Sequence, residues 1–457
     1  MNQYARFLSQ FKKSLEELEY WREKYGHFEE HASLGVSNEK LNKTFNKLVA
    51  RMKGNYPFHH PSYAGQMLKP PHPAAWMAYS LAMTINPNNH ALDGGPPSSE
   101  MEKEVVAKLA AMVGYGETYL GHLTSSGTLA NLEALWVARQ RHPGKAVAFS
   151  EDAHYTHGRM CDLLKIPKLV IPTDEYGRMD MDELHRKKDE VGTVVATMGT
   201  TGLGSIDPLA ELLDWADGHD IRVHADAAYG GFFKLLETEL SSKKHWQALN
   251  RCASIAIDPH KHGLQPYGCG CILFSNPETG KYYKHDSPYT YFTSDDLHLG
   301  EISLECSRAG ASAVALWATL ELLPLHSNTG LGEVLRAARY AANRFYESME
   351  YSSRFRPIHE PALDIVGYFP VTTYMEASSI SEASQKIFNY GMEQEKSEGF
   401  HLSLYRLKTE RLKKIHSEIK ADQEEIVVLR SVFMKPEHED FVDELAKRLE
   451  KAYKKTM

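Results

Sequence analysis

Cysteine is scarce: five residues in a chain of 457. An odd count without dense spacing excludes a disulfide-stapled framework and fits free thiols in a reducing compartment. Positive charge is not in excess. Lys and Arg number 52 against 60 Asp and Glu, a formal net charge of −8, which argues against a general nucleic-acid or anionic-membrane binder. No run of about 18 apolar residues is present, so no membrane-spanning helix is expected. The opening stretch MNQYARFLSQFKKSLEELEYW lacks the apolar core of a secretory signal. A soluble cytoplasmic protein is the expectation. The nucleotide fingerprints GxGxxG and GxxxxGK[ST] are missing as well. Metal ligation finds little support: Cys269 and Cys271 lack two further ligands nearby, and the HxxH of His154 and His157 has no carboxylate- or thiol-rich partner after it.

What is present points to two globular units, because 457 residues exceed what one hydrophobic core usually serves. Residues 4–25 carry Phe7, Leu8, Phe11, Leu15, Leu18 and Trp21 at helical spacing. Residues 54–100 are rich in Pro, Gly, His and Asn, and so long an irregular stretch is usually functional or packed on a partner. Ser99 with Glu102 reads as a capping box opening a helix, Asp180 with Glu183 as another, and Asp207-Pro208 as a third helix start. From about residue 119, Val/Ile-rich runs such as KAVAFS, GTVVATM, IRVHAD and SIAID alternate with amphipathic stretches. That pattern means a mostly parallel sheet covered on both faces. Past residue 320 short strands and long helices suggest a smaller α+β domain. The expected division is a helical arm at 1–57, a large domain at 58–325 with a special segment at 58–100, and a small domain at 326–457.

In open α/β sheets ligands bind at the carboxyl ends of the strands. His154, Thr200 and Thr201, Asp226, and His260 with Lys261 all fall at such ends, and TSSGT at 124–128 enters a helix N-terminus. Free N–H groups at that terminus favour a phosphate. A lysine after a buried apolar strand is suited to nucleophilic chemistry, since partial burial favours the neutral amine. A phosphate cradle, an acid, a small-residue platform, a stacking His and such a lysine are together what pyridoxal 5′-phosphate requires.

The ordered stretches TSSGTLANLEALWVAR, SEDAHYTHGR, MGTTGLGSID, VHADAAYGG, SIAIDPHKH, SRAG and VVLRSVF span about residues 58–435 once the looser HPSYAG and GGPPSSEME are included. By these the chain resembles the group II pyridoxal-phosphate-dependent amino-acid decarboxylases, which include aromatic L-amino-acid, glutamate, tyrosine and histidine decarboxylases. The resemblance implies fold type I of the pyridoxal-phosphate transferases: a large domain with a seven-stranded, mostly parallel sheet between helices, and a smaller C-terminal α+β domain. It implies a homodimer with active sites at the subunit interface. It makes Lys261 the imine lysine and pairs Asp226 with the pyridine nitrogen. Ala228 would lie under the ring, His154 over it and His224 near it. Gly127, Thr128 and His260 would hold the phosphate, and Thr201 would lie near cofactor and substrate carboxylate. Arg430 would bind that carboxylate, with His60 and Tyr63 as further substrate contacts. Of the tyrosines at 282, 283, 289 and 291, Tyr289 is favoured as the mobile-loop proton donor.

The implied activity is α-decarboxylation of an L-amino acid, an aromatic one slightly favoured over an acidic one. The alternatives are a carbon–carbon lyase of the sphingosine-phosphate type, or an aldehyde synthase if Phe292 holds the loop position. His262 stands where many members have Trp or another aromatic, and its role is unassigned.

Overall fold

Seven strands supply the platform that the motifs share. In the computed structural model, which describes residues 3–283, 298–394 and 397–457, these are β1 (Leu120–Thr124), β2 (Ala146–Ser150), β3 (Lys168–Ile171), β4 (Val191–Thr197), β5 (Arg222–Asp226), β6 (Ser254–Ile257) and β7 (Gly270–Phe274). Their order across the sheet is β1-β7-β6-β5-β4-β2-β3. Only β7 runs against its neighbours. Every residue of β2, β4, β6 and β7 is buried, because helices cover both faces, as a parallel sheet requires. The reversal of β7 leaves β1 parallel to the rest, so the loops after β1, β2, β4, β5 and β6 open on one edge.

A second sheet, antiparallel throughout, has the order β10-β11-β9-β8, with β8 (Phe355–Pro357), β9 (Ile365–Pro370), β10 (Ser403–Lys408) and β11 (Glu425–Val432). The helices Leu331–Glu350, Ala377–Glu393 and His438–Thr456 pack with it around Phe345, Phe355, Tyr368, Phe400 and Phe433. It is fastened to the first sheet by charged groups. Arg411 donates to Asp152 Oδ2 at 2.7 Å, and Arg430 of β11 reaches the loop after β4.

Two expected helix starts differ. The helix over 96–113 begins at Pro96 after Gly95, and Ser99 lies buried inside its first turn. Two consecutive prolines, which need no N–H partner there, open it instead. Glu102 is likewise not a cap. It lies buried against Arg308 Nη1 at 2.7 Å and accepts from Asn89 Nδ2 and the Leu123 amide. Asp207 does not cap the helix Leu209–Asp217. Its carboxylate takes the amides of Met179 and Thr197, both at 2.7 Å, and burial pushes it up to about 7.

The Arg308–Glu102 pair pins the SRAG turn to the end of β1, and both side chains are under a tenth exposed. Replacing Arg308 by Leu strands the Glu102 charge. The expected loss is about 3–5 kcal/mol of folding stability, read as a lower urea midpoint at unchanged m-value.

Candidate active site

The five strand-end loops meet around a narrow cleft, open to solvent at its mouth. Gly127, Thr128, His154, Thr201, Asp226, Ala228 and Lys261 all line it. A wider depression around Arg141, Asp217 and Arg222, at the amino end of β5, is open surface of mixed charge.

Asp226 ends β5 and is 5 % exposed. Burial alone would raise its carboxyl. The hydrogen bond from His157 Nε2 at 2.8 Å, with the charges of His157 and Lys261, outweighs that and holds it well below the usual aspartate range. The Ala228 amide adds a contact to Oδ1 at 3.2 Å. The result is a fixed anion in a dry site, able to pair with a protonated ring nitrogen. His157, in the helix Thr156–Leu164, is wholly buried.

The helix Gly127–Arg141 opens on the cleft, and Ser126 caps it by accepting from the Leu129 amide at 3.3 Å. The first amides of a helix have no carbonyl of their own and suit an anion. A side chain at Gly127 would come within 2.5 Å of both Asp258 carboxylate oxygens. Asp258 in turn lies 3.3 Å from Lys261 Nζ and 3.5 Å from His260 Nε2. Across the cleft, His154 is steadied by Thr156 Oγ1 at 2.7 Å, and burial lowers its pKa. Gly199, with φ 110°, carries the chain past Leu363 and Tyr229, where a Cβ would meet Leu363 at 2.9 Å.

Other expected residues lie elsewhere. His224 does not line the cleft. It sits one layer behind, with Nδ1 on Ser254 Oγ at 2.9 Å and Nε2 on Asn131 Oδ1 at 2.7 Å. Burial pushes its imidazole down to about 3, so it is neutral and orients Asn131, which does line the cleft. His260 does not line it either; its Nδ1 donates to the Cys269 carbonyl at 2.8 Å. Arg430 spends three of its five N–H groups on the carbonyls of Gly202, Thr201 and Gly65. Tyr63 and His60 pack beside the small sheet's elements, with Phe58, His401 and Phe441 as ring neighbours. Tyr289, Tyr291 and Phe292 lie outside the described residues. Tyr283 is buried and donates to Glu133 at 2.9 Å.

Sequence reasoning missed Asn131, Thr156, Thr197, Tyr229, Asp258 and, behind them, His157. For Asn131 a signal was available: it is one helical turn beyond Gly127.

The pyridoxal-dependent decarboxylase conserved domain matches residues 37–369. The chain belongs to that family. Its cofactor is pyridoxal phosphate, and its members are carboxy-lyases acting on amino acids. It is similar to an L-tyrosine decarboxylase of Enterococcus faecium, 26% identical over 74% of this chain and 73% of that one. A probable L-tyrosine/L-aspartate decarboxylase of Methanococcus maripaludis is 29% identical over 66% of this chain and 79% of its own length. In fold, the crystal structure of Oryza sativa TDC with PLP and tryptamine superposes with a TM-score of 0.79 at 18% identity, covering 99% and 96% of the two chains. The site suits the family's cofactor on its own terms: an ionised Asp226, a helix N-terminus with a glycine that cannot carry a side chain, and a lysine within the same cleft.

Removing the His157 bond tests the anion. His157→Leu weakens pyridoxal phosphate binding by about 10- to 100-fold, the worth of a hydrogen bond to a charged group. Equilibrium titration of the cofactor-free protein, followed by cofactor absorbance, measures it.

Proposed function

We propose that this decarboxylase removes the α-carboxylate of an L-amino acid as CO2, with an aromatic substrate favoured, and that Lys261 and Asp226 are its central pair. The observation that carries this is one cleft holding an ionised, buried carboxylate and a lysine amine at adjacent strand ends. Bound pyridoxal phosphate supplies an aldehyde for attachment and a protonated ring that accepts the electron pair of the broken Cα–carboxylate bond.

The chain's own residues do the rest. Lys261 holds the cofactor and yields its place to the substrate's amino group. Asp226 keeps a proton on the ring nitrogen. Gly127 and Thr128 would offer amides to the phosphate, and Ala228 and His154 would hold the ring. His260 stands behind Asp258 and would support the phosphate-binding side. Thr201 orients the departing carboxylate. Arg430 braces the Thr201 loop through its carbonyl bonds and has N–H groups left for the same carboxylate. His224 works through Asn131. Tyr289 is our choice for returning the proton to Cα. Dry walls around the departing carboxylate favour its loss as neutral CO2.

The aromatic preference rests on what lines the cleft. Among the described residues, Lys261 is its one Lys or Arg, and Tyr229 adds a ring. An acidic side chain would call for a second cation. Lys261→Ala is expected to lose both CO2 release and the borohydride-trapped cofactor adduct; retained turnover would overturn the assignment. CO2 release across the L-amino acids, with L-DOPA and cysteine sulfinate included, tests the preference.

We also propose a cytoplasmic homodimer. The helix Asn38–Met52 has no buried residue, yet Leu41, Phe45, Leu48, Val49 and Met52 form an exposed apolar stripe on it. Such a stripe needs a covering surface, and a second copy's helical arm has the same face to offer. Phe45→Glu with Leu48→Glu is expected to shift the sedimentation coefficient from dimer toward monomer.

A further inference from the structure

His262 follows Lys261, and none of the chemistry above uses it. Its ring is 1 % exposed and sits edge-on to the rings of Tyr229 and Phe233, with centroids 4.6 and 5.0 Å away. Nδ1 faces the Tyr229 carbonyl at 3.1 Å, and Nε2 faces Asp364 Oδ2 at 2.8 Å. The other carboxylate oxygen of Asp364 accepts the Tyr229 hydroxyl at 2.6 Å. A carbonyl can only accept, and so can an ionised carboxylate, so a ring bearing both protons satisfies both contacts. The three residues form a closed, buried ring of hydrogen bonds.

Asp364 belongs to the other sheet's side of the molecule: it precedes β9, is itself fully buried, and its backbone carbonyl accepts from Phe433. Its neighbour Leu363 packs where Gly199 enters the cleft. The segment 363–364 therefore touches the cleft wall at Gly199, at Tyr229 and at the residue bonded to Lys261. Lys69 and Arg430 lie within electrostatic range of Asp364 but donate to backbone carbonyls. Among the described residues, the hydrogen-bond partners of the carboxylate are His262 and Tyr229.

We propose that His262 is a positioning residue: through Asp364 it locks the peptide carrying Lys261 to the small sheet, so that the attachment lysine is set by the seating of that sheet. This rests on the reading of Lys261 as the attachment lysine. An aromatic hydrocarbon at position 262 would fill the space between Tyr229 and Phe233 but could not make the lock. A separate buried fastening, Arg411 to Asp152, joins the same two parts without touching the lysine's neighbours.

The test uses the full-length protein stripped of cofactor and given pyridoxal phosphate, with borohydride trapping and mass spectrometry timing attachment at Lys261. His262→Phe and Asp364→Leu are each expected to slow attachment about tenfold. The double variant should be no slower than the slower single one, because both remove the same contact. It also removes the stranded charge that could keep His262→Phe from folding. Asp364→Asn should restore attachment to within about twofold, since its amide can donate to a neutral ring while its oxygen keeps the Tyr229 bond. Arg411→Gln, which loosens the loop after β2 and leaves the peptide of Lys261 fastened, should slow attachment less than either His262→Phe or Asp364→Leu. Wild-type attachment rates in both His262→Phe and the double variant would overturn the proposal. So would an equal slowing by Arg411→Gln, which would make the effect one of general domain seating. Failure of the wild-type protein to form any adduct at Lys261 would instead count against the functional reading.

Discussion

A carboxylate that must stay ionised in a dry place is the constraint around which this molecule is arranged. Asp226 ends a buried strand, and burial works against its charge. The His157 bond tips the balance, and it depends on the helix Thr156–Leu164 standing where the loop after β2 delivers it. Because Asp226 titrates below the ordinary aspartate range, its contribution to stability is present above a pH of about 4 and is lost only as the pH falls through its own lower value. The anion is therefore available throughout the neutral range. Lys261, in the loop after the adjacent strand β6, shares the field of this anion while contacting Asp258.

The second constraint is that a site made of loop ends needs bracing from outside the sheet. The antiparallel sheet supplies it in three places. Arg430 holds the loop after β4 by two carbonyls, Arg411 holds Asp152 after β2, and Asp364 holds His262 after β6. Each brace is a charged side chain with little exposure, and breaking one partner of such a pair leaves a buried charge. The small sheet thus acts on the cleft by fixing the loops that build it.

Much of this was legible in the chain. The alternation of apolar runs with amphipathic stretches announced the parallel sheet, and of the polar residues at the ends of those runs His154, Thr201, Asp226 and Lys261 do line one cleft. The reading failed where side-chain reach, not position in the chain, decides. His224 and Asp226 lie on the same face of β5, but His224 is two residues back, roughly 7 Å along the strand, and the helix Gly127–Arg141 covers it. Ser99 follows a rule for helix starts that the two prolines before it pre-empted. Asp207 sits beside a proline as a cap should, yet the backbone amides of Met179 and of Thr197 at the end of β4 claim its carboxylate. His157 was noticed only as half of a metal motif, because nothing local shows that its partner is 69 residues away. His262 stayed unexplained for the same reason: Asp364 is 102 residues distant.

The central claim is that an ionised carboxylate at position 226 drives the loss of the substrate's carboxylate. Asp226→Asn keeps the shape and removes the charge. The measurement is the single-turnover rate of CO2 release by this variant at saturating pyridoxal phosphate, with attachment at Lys261 verified on the same sample. A fall of about a hundred- to a thousandfold is expected, the scale of losing one preorganised electrostatic group. An Asn variant that carries the cofactor on Lys261 and releases CO2 at a rate close to the parent protein's would contradict the account.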